Sequence, residues 1–340
     1  MPTTAQIPFS EPPYLQGLPS PYFTESHLAF QLAIRPSSKP ICTRTPSSTN
    51  PTEPSPTIFR TFATSHLLLA SLPAPLPITT GIWSDYASMA VRTGPAGSGA
   101  AGISLLLVPL KNHPGVTMRR LSVSGTTSSG TTYIELDDVR VPLGNLIGEE
   151  NQGMRYIMTN FNHERLAVAT GATRQARVAL STAFEYVMKR EAFGKPLIDQ
   201  PVVRHRLAKA GALLESLTAW VEQFAYMMTK LPAEKADILL GGSTALLKAQ
   251  AGMVFKECAD TAVLLFGWQW VYQDGARPAG RESDGECSLL IAALVLYREV
   301  MGTRIPGGSE DVLLDLAVRQ LLKIYKVQTK MLEDSRGSKI

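Results

Sequence analysis

The stretch from Glu149 to Leu197, EENQGMRYIMTNFNHERLAVATGATRQARVALSTAFEYVMKREAFGKPL, constrains the fold more than any other part of the chain. A turn at 149–153 opens it, and Gly194 with Pro196 closes it. Between them Met154, Ile157, Phe161, Val168, Val178, Phe184 and Val187 recur at three- and four-residue steps, which predicts a long amphipathic helix with one buried face. Within that apolar pattern sits the charged triplet His163-Glu164-Arg165. A carboxylate beside an apolar stripe is a candidate general base, because desolvation raises its pKa toward the working range. The alternative reading is an ion-paired, solvated face.

Further helical patterns run over 201–231, 232–265 and 311–330, and four such helices with short connections predict an antiparallel bundle. Ahead of them the period changes. Segments at 86–92, 102–110, 116–123, 131–136 and 139–142 alternate or run continuously apolar between Gly and Pro, which predicts antiparallel strands, with the Gly-rich 93–99 as a plain hairpin connection. The region 35–77 is dominated by Pro, Ser and Thr, and such composition buries too little apolar surface to offset its ordering entropy; only 58–71 could form a helix or strand. The expected organisation is a remnant helical segment at 1–34, a low-order linker at 35–77, a partial β-domain at 78–147, a helical bundle at 148–332 interrupted around 267–290, and a tail at 333–340. The fold class is α+β.

The chain has 340 residues and a formal net charge of +4, a mild basic excess spread along its length. That helps attract an anionic substrate but is no nucleic-acid footprint. Cysteines at 42, 258 and 287 are too few and scattered for a disulfide framework or a zinc site, and a reducing compartment is the default. No membrane span is expected, since the apolar run 66–74 is short and broken by Pro73.

Several motifs in order resemble the acyl-CoA dehydrogenase family: Gly148-Glu149-Glu150-Asn151-Gln152-Gly153, Glu164-Arg165-Leu166, Arg190-Glu191-Ala192-Phe193-Gly194-Lys195-Pro196-Leu197 with Gln200, and Gly307-Gly308-Ser309-Glu310-Asp311. The resemblance implies an acyl-CoA dehydrogenase-like fold whose amino-terminal helical domain is largely missing. It also implies FAD, an acyl-CoA substrate, an electron acceptor of unspecified kind and a homo-oligomer. The implied reaction is α,β-dehydrogenation of a thioester, with a carboxylate taking the α-proton and hydride leaving Cβ for the flavin.

Family members that carry the base in a carboxy-terminal Tyr-Glu-Gly-Thr-like loop would have it where this chain has Gly307, which cannot serve; others carry it in a Glu-Arg-Leu motif on the long helix, which Glu164 matches. By the same resemblance Asn162, His163 and Arg165 line the acyl-CoA pocket, and Arg190, Phe193 and Gln200 hold the FAD pyrophosphate and adenine across a subunit interface. Thr79 falls where a threonine donates toward the flavin, while Ser309 and Asp311 approach it from the carboxy-terminal loop. Glu310 and Asp311 also suit the first turn of the last helix, with Ser309 as N-cap.

The chain departs from the pattern at Pro77, at Leu264 (where a glutamine is expected) and at Trp268 and Trp270 (where glycines are). An inactive relative, or an acyl-CoA oxidase, therefore stands beside the dehydrogenase reading. Fungal enzymes of toxin and specialised-metabolite synthesis share its sequence style. The terminal Ser338-Lys339-Ile340 resembles a peroxisomal address, with the cytoplasm as alternative.

Overall fold

A computed structural model describes residues 7–16, 18–29, 67–69, 78–123, 125, 129–267 and 284–337. Most of the Pro/Ser/Thr-rich region, Pro77, Trp268, Trp270 and Ser338-Lys339-Ile340 lie outside the described residues. Two units are distinguished, Pro46–Phe161 and a second made of Met1–Thr45 with Asn162–Ile340.

In the first unit four strands lie in the order β1-β2-β3-β6: β1 Leu67–Leu69, β2 Tyr86–Arg92, β3 Ile103–Pro109 and β6 Leu146–Ile147. β2 and β3 pair antiparallel along their whole length, from Tyr86 opposite Pro109 to Arg92 opposite Ile103, so 93–99 is a hairpin connection as its composition implies. β1 is the one parallel neighbour. β4 Val116–Arg120 and β5 Thr132–Leu136 make a separate antiparallel pair. The strand expected at 139–142 does not form. Asp138 sits at φ 47 and turns the chain, Pro142 lacks the N–H a ladder needs, and pairing with β3 passes instead to 146–147 after Asn145 Nδ2 bonds Leu107 O at 2.8 Å.

The long helix, α1 Gly153–Lys189, starts against this sheet. Asn151 N donates to Ser104 Oγ at 2.7 Å, and a Cβ at Gly153 would come within 2.7 Å of the Ser104 backbone, so only glycine lets the helix start so close to β3. Ile157 packs there with Ala90, Ile103 and Leu105.

The second unit is a helical bundle of most of α1 with α2 Pro201–Lys230, α3 Ala233–Phe266, α4 Asp284–Arg304 and α5 Glu310–Gly337. The fourth of these begins inside the expected interruption, so the described bundle has five helices rather than four. Its core joins Leu180, Leu207, Leu214, Phe224, Leu247 and Phe255. Along α1 the predicted Ile157 and Val187 are fully buried, as are Leu180 and the alanines Ala169, Ala172, Ala176, Ala179 and Ala183, while Val168, Val178 and Phe184 are only partly buried. Alanine there lets neighbouring helices approach, and the bulkier residues fill the flanks.

α1 also stops earlier than its closing Gly194 implies. Glu191–Ala192 and Lys195–Pro196 pair as a two-residue hairpin, with Phe193 at φ 56 and Gly194 at φ 74. Positive φ at both central residues is the primed turn that matches strand twist. Helix α3 contains a segment long and apolar enough to cross a membrane, but 61% of that window is buried within the protein.

The N-terminal segment is strapped onto the bundle by α1. Arg177, 2% exposed, makes a two-pronged bond to Glu215 (2.7 and 3.1 Å), a bond to Thr218, and bonds to the carbonyls of Phe9 and Glu11. Arg174 adds Ser10 O at 2.9 Å.

Candidate active site

The triplet at 163–165 and the loop before the last helix meet within the bundle. His163 is exposed, Glu164 half-buried and Arg165 buried. Arg165 Nε donates to Gly307 O at 2.9 Å. Burial lowers the Arg165 pKa, and the charge of Glu164 opposes that shift. The two positions at which the family resemblance places a base thus adjoin, and at the loop position there is no side chain. Gly307 lies at φ +71, a backbone region that disfavours a replacement residue.

Asn162 is buried on the same turn of α1, with Nδ2 3.4 Å from Asp237 Oδ1 of α3 and its amide facing Gly241. Its amide is engaged within the bundle, and Arg165 is committed to the loop carbonyl. Only His163 and Glu164 of the expected pocket residues keep exposed or half-exposed surface.

The rival carboxylates fall where helix-start chemistry puts them. Glu310 and Asp311 occupy the first turn of α5, and Leu313 N bonds the Ser309 carbonyl at 2.9 Å. Glu310 is held by both arms of Arg304, with Nη2–Oε2 at 2.7 Å. Ser309 and Asp311 are exposed. One residue the sequence reading missed belongs here: Lys248 of α3, 1% exposed, donates to Arg304 O at 2.6 Å and Gly308 O at 2.7 Å. Its signal was a lone lysine in the Ala- and Leu-rich run TALLKAQAG.

The expected nucleotide-binding residues cluster at the other end of α1. Arg190 is exposed and forms no ion pair among the described residues; its backbone alone is engaged, with Tyr186 and Leu197. Phe193 is 93% exposed on the hairpin tip. Gln200 caps α2, its carbonyl accepting from Val203 and Arg204. An uncommitted guanidinium beside an uncovered aromatic ring fits the pyrophosphate and adenine of a dinucleotide. Thr79, exposed, belongs to the other unit. Leu264 is 60% exposed on α3.

The family description "Acyl-CoA dehydrogenase, C-terminal domain" matches residues 151–322, which contain Glu164, Lys248 and the 305–309 turn. The chain belongs to the acyl-CoA dehydrogenase family. As an oxidoreductase family member it is 43% identical to acyl-CoA dehydrogenase apdG of Emericella nidulans, over 98% of this chain and 99% of that one. That alignment is 452 residues long against a 340-residue chain, so more than a hundred positions of the relative face an internal gap. This agrees with a largely missing N-terminal helical domain. Acyl-CoA dehydrogenase AFT10-1 of Alternaria alternata is 34% identical over 72% of this chain and 53% of that protein. Among solved structures, an acyl-CoA dehydrogenase from Geobacillus kaustophilus (27% identity, TM-score 0.61) aligns with 72% of this chain and 59% of its own. Butyryl-CoA dehydrogenase from Megasphaera elsdenii (25%, 0.61) aligns with 73% and 58%. Apart from the Emericella protein, the chain therefore spans little more than half the length of these relatives.

Proposed function

We propose that this family member is an FAD-dependent acyl-CoA dehydrogenase whose base is Glu164. The observation that carries the reading is the Arg165–Gly307 bond, which brings together the two places where the family resemblance puts the carboxylate. Gly307 has none to offer and Glu310 is tied to Arg304, while Glu164 holds the glutamate position of the Glu-Arg-Leu motif and keeps half-exposed surface. In this reading Glu164 takes the α-proton of the thioester and the Cα–H electron pair becomes the new Cα=Cβ bond. Bound flavin supplies the acceptor for hydride from Cβ. Arg190, Phe193 and Gln200 hold the nucleotide, with Ser309 and Asp311 in supporting positions. Asn162 and Arg165 act as structural supports rather than as acyl-CoA ligands. His163, exposed one residue from the base, remains a substrate contact.

The test is spectroscopic. Purified full-length protein is expected to be yellow, and Glu164→Gln to stay yellow while acyl-CoA no longer bleaches it. Bleaching by the variant at the wild-type rate sinks the assignment. The similarity to the Emericella and Alternaria proteins supports a role in fungal specialised metabolism.

A second reading, an inactive relative, is favoured by the internal gap and by exposed Leu264 in place of a glutamine. A colourless protein that rejects added FAD decides for it.

A further inference from the structure

Lys248 is among the largest side chains buried in the protein. It projects from an alanine- and leucine-rich helix, with Leu247, Ala249 and Ala251 around it also fully buried. A lysine amine buried there is strongly destabilising unless its donors are used, so the site must supply acceptors. It supplies main chain: the carbonyls of Arg304 and Gly308, at 2.6 and 2.7 Å. Those two residues bracket the turn that joins α4 to α5, and Gly307, between them, has its own carbonyl on Arg165. Three carbonyls of one short turn are thus held by two cationic side chains from two different helices. Within the turn, Gly308 N closes back on Ile305 O at 3.2 Å.

We propose that Lys248 is a positioning residue: by holding the carbonyls of Arg304 and Gly308 it fixes the Arg304–Gly308 turn against the helical turn that bears Glu164, so that the edge of the thioester site has one shape. This rests on the reading of Glu164 as the base.

The charged groups facing the amine are Glu164 and Arg165 from α1, Arg304 from α4 and Glu310 from α5, two of each sign. Burial brings the ammonium down to about 8, with Glu310 the largest opposing influence. Deprotonation does not undo the hold. A neutral amine still has two N–H donors, and two carbonyls are what it serves. The turn is therefore pinned on both sides of that pH, as a positioning element must be, whereas a salt bridge would release.

The experiment uses the full chain with its flavin, hydrogen exchange over peptides covering 301–313, and the affinity for a non-reactive S-alkyl-CoA thioether. Lys248→Met keeps the unbranched apolar stem and removes every donor. It is expected to speed exchange of the turn at least tenfold, with the rest of the bundle unchanged, and to weaken thioether binding about tenfold. Lys248→Arg, which restores donors and charge, is expected to recover part of both. If Lys248→Met does not fold, Lys248→Gln, which keeps one amide donor group, carries the same comparison. A folded variant whose turn exchanges as in the wild type overturns the proposal, and so does a loosened turn with unchanged thioether affinity. If the wild type itself rejects the thioether, the dehydrogenase reading fails, and exchange at the turn alone decides whether Lys248 holds it.

Discussion

Arg165 and Gly307, 142 positions apart in the sequence, are joined by a 2.9 Å hydrogen bond from guanidinium Nε to carbonyl oxygen. The bond ties the middle of α1 to the turn before α5. Because the donor is buried and charged, it is worth more than an exposed bond of the same length.

Arg165→Met leaves the Gly307 carbonyl without this donor. The expected loss is about 1–3 kcal/mol of stability, read as a lower urea midpoint at unchanged slope. Because the turn also borders Glu164, bleaching by acyl-CoA is expected to slow at least tenfold. Wild-type bleaching in a destabilised variant would confine the bond to a structural role.

Lys248 gives stability a pH dependence of defined sign. Its folded value of about 8 lies below its ordinary 10.5. Between those values the unfolded chain binds more protons than the folded one, so this group makes stability rise with pH across that window, by up to about 1.4 kcal/mol per pH unit. Below about pH 8 the cost of burying the charge is fully present. Urea midpoints of wild type and Lys248→Met, measured from pH 7 to 10, isolate the effect as a difference in slope. Parallel curves would show that the lysine is not desolvated.

Arg177 anchors the N-terminal strap. Arg177→Met strips Glu215 and Thr218 of this donor, leaves the Phe9 carbonyl without it, and leaves the Glu11 carbonyl to Gln16 Nε2. Glu215, with a 35% exposed side chain, recovers water in part, which holds the expected loss to about 3 kcal/mol. The strap should then become the first site of proteolytic cleavage. A second variant reaches the same strap sterically: a Cβ at Gly211 would lie 2.3 Å from the Phe9 ring, so Gly211→Ala must displace Phe9 and is expected to cost about 1–3 kcal/mol. A strap that resists protease in both variants would refute the anchoring.

Much of the fold is legible from period and punctuation. The bounds expected for β2 coincide with Tyr86–Arg92, and Glu310 and Asp311 lie in the first turn of α5, where negative charge suits a helix start. The long helix is evident from its bulky residues, and Ile157 and Val187 are fully buried as expected, yet five alanines that the pattern passes over are buried as deeply while Val168, Val178 and Phe184 are not. Hydrophobic size does not report which face is close-packed, because a tight interface excludes large side chains. The end of α1 departs from its pattern: Gly194 marks a turn, but positive φ at Phe193 makes that turn a hairpin instead of a helix cap.

The sequence by itself determined that this chain builds strands before Gly153 and helices after it, that it belongs with the acyl-CoA dehydrogenases, and that Glu164 rather than Gly307 can carry a carboxylate. Those properties reside in local period, in motif order and in the identity of single residues. Only the tertiary structure decided that Arg165 and Lys248 point at the carbonyls of one turn, that Asn162 is engaged with α3, and that Glu310 is bound to Arg304. A buried polar group takes whatever acceptor the packing brings within 3 Å, and that partner is set by how distant segments come together, which no local pattern encodes.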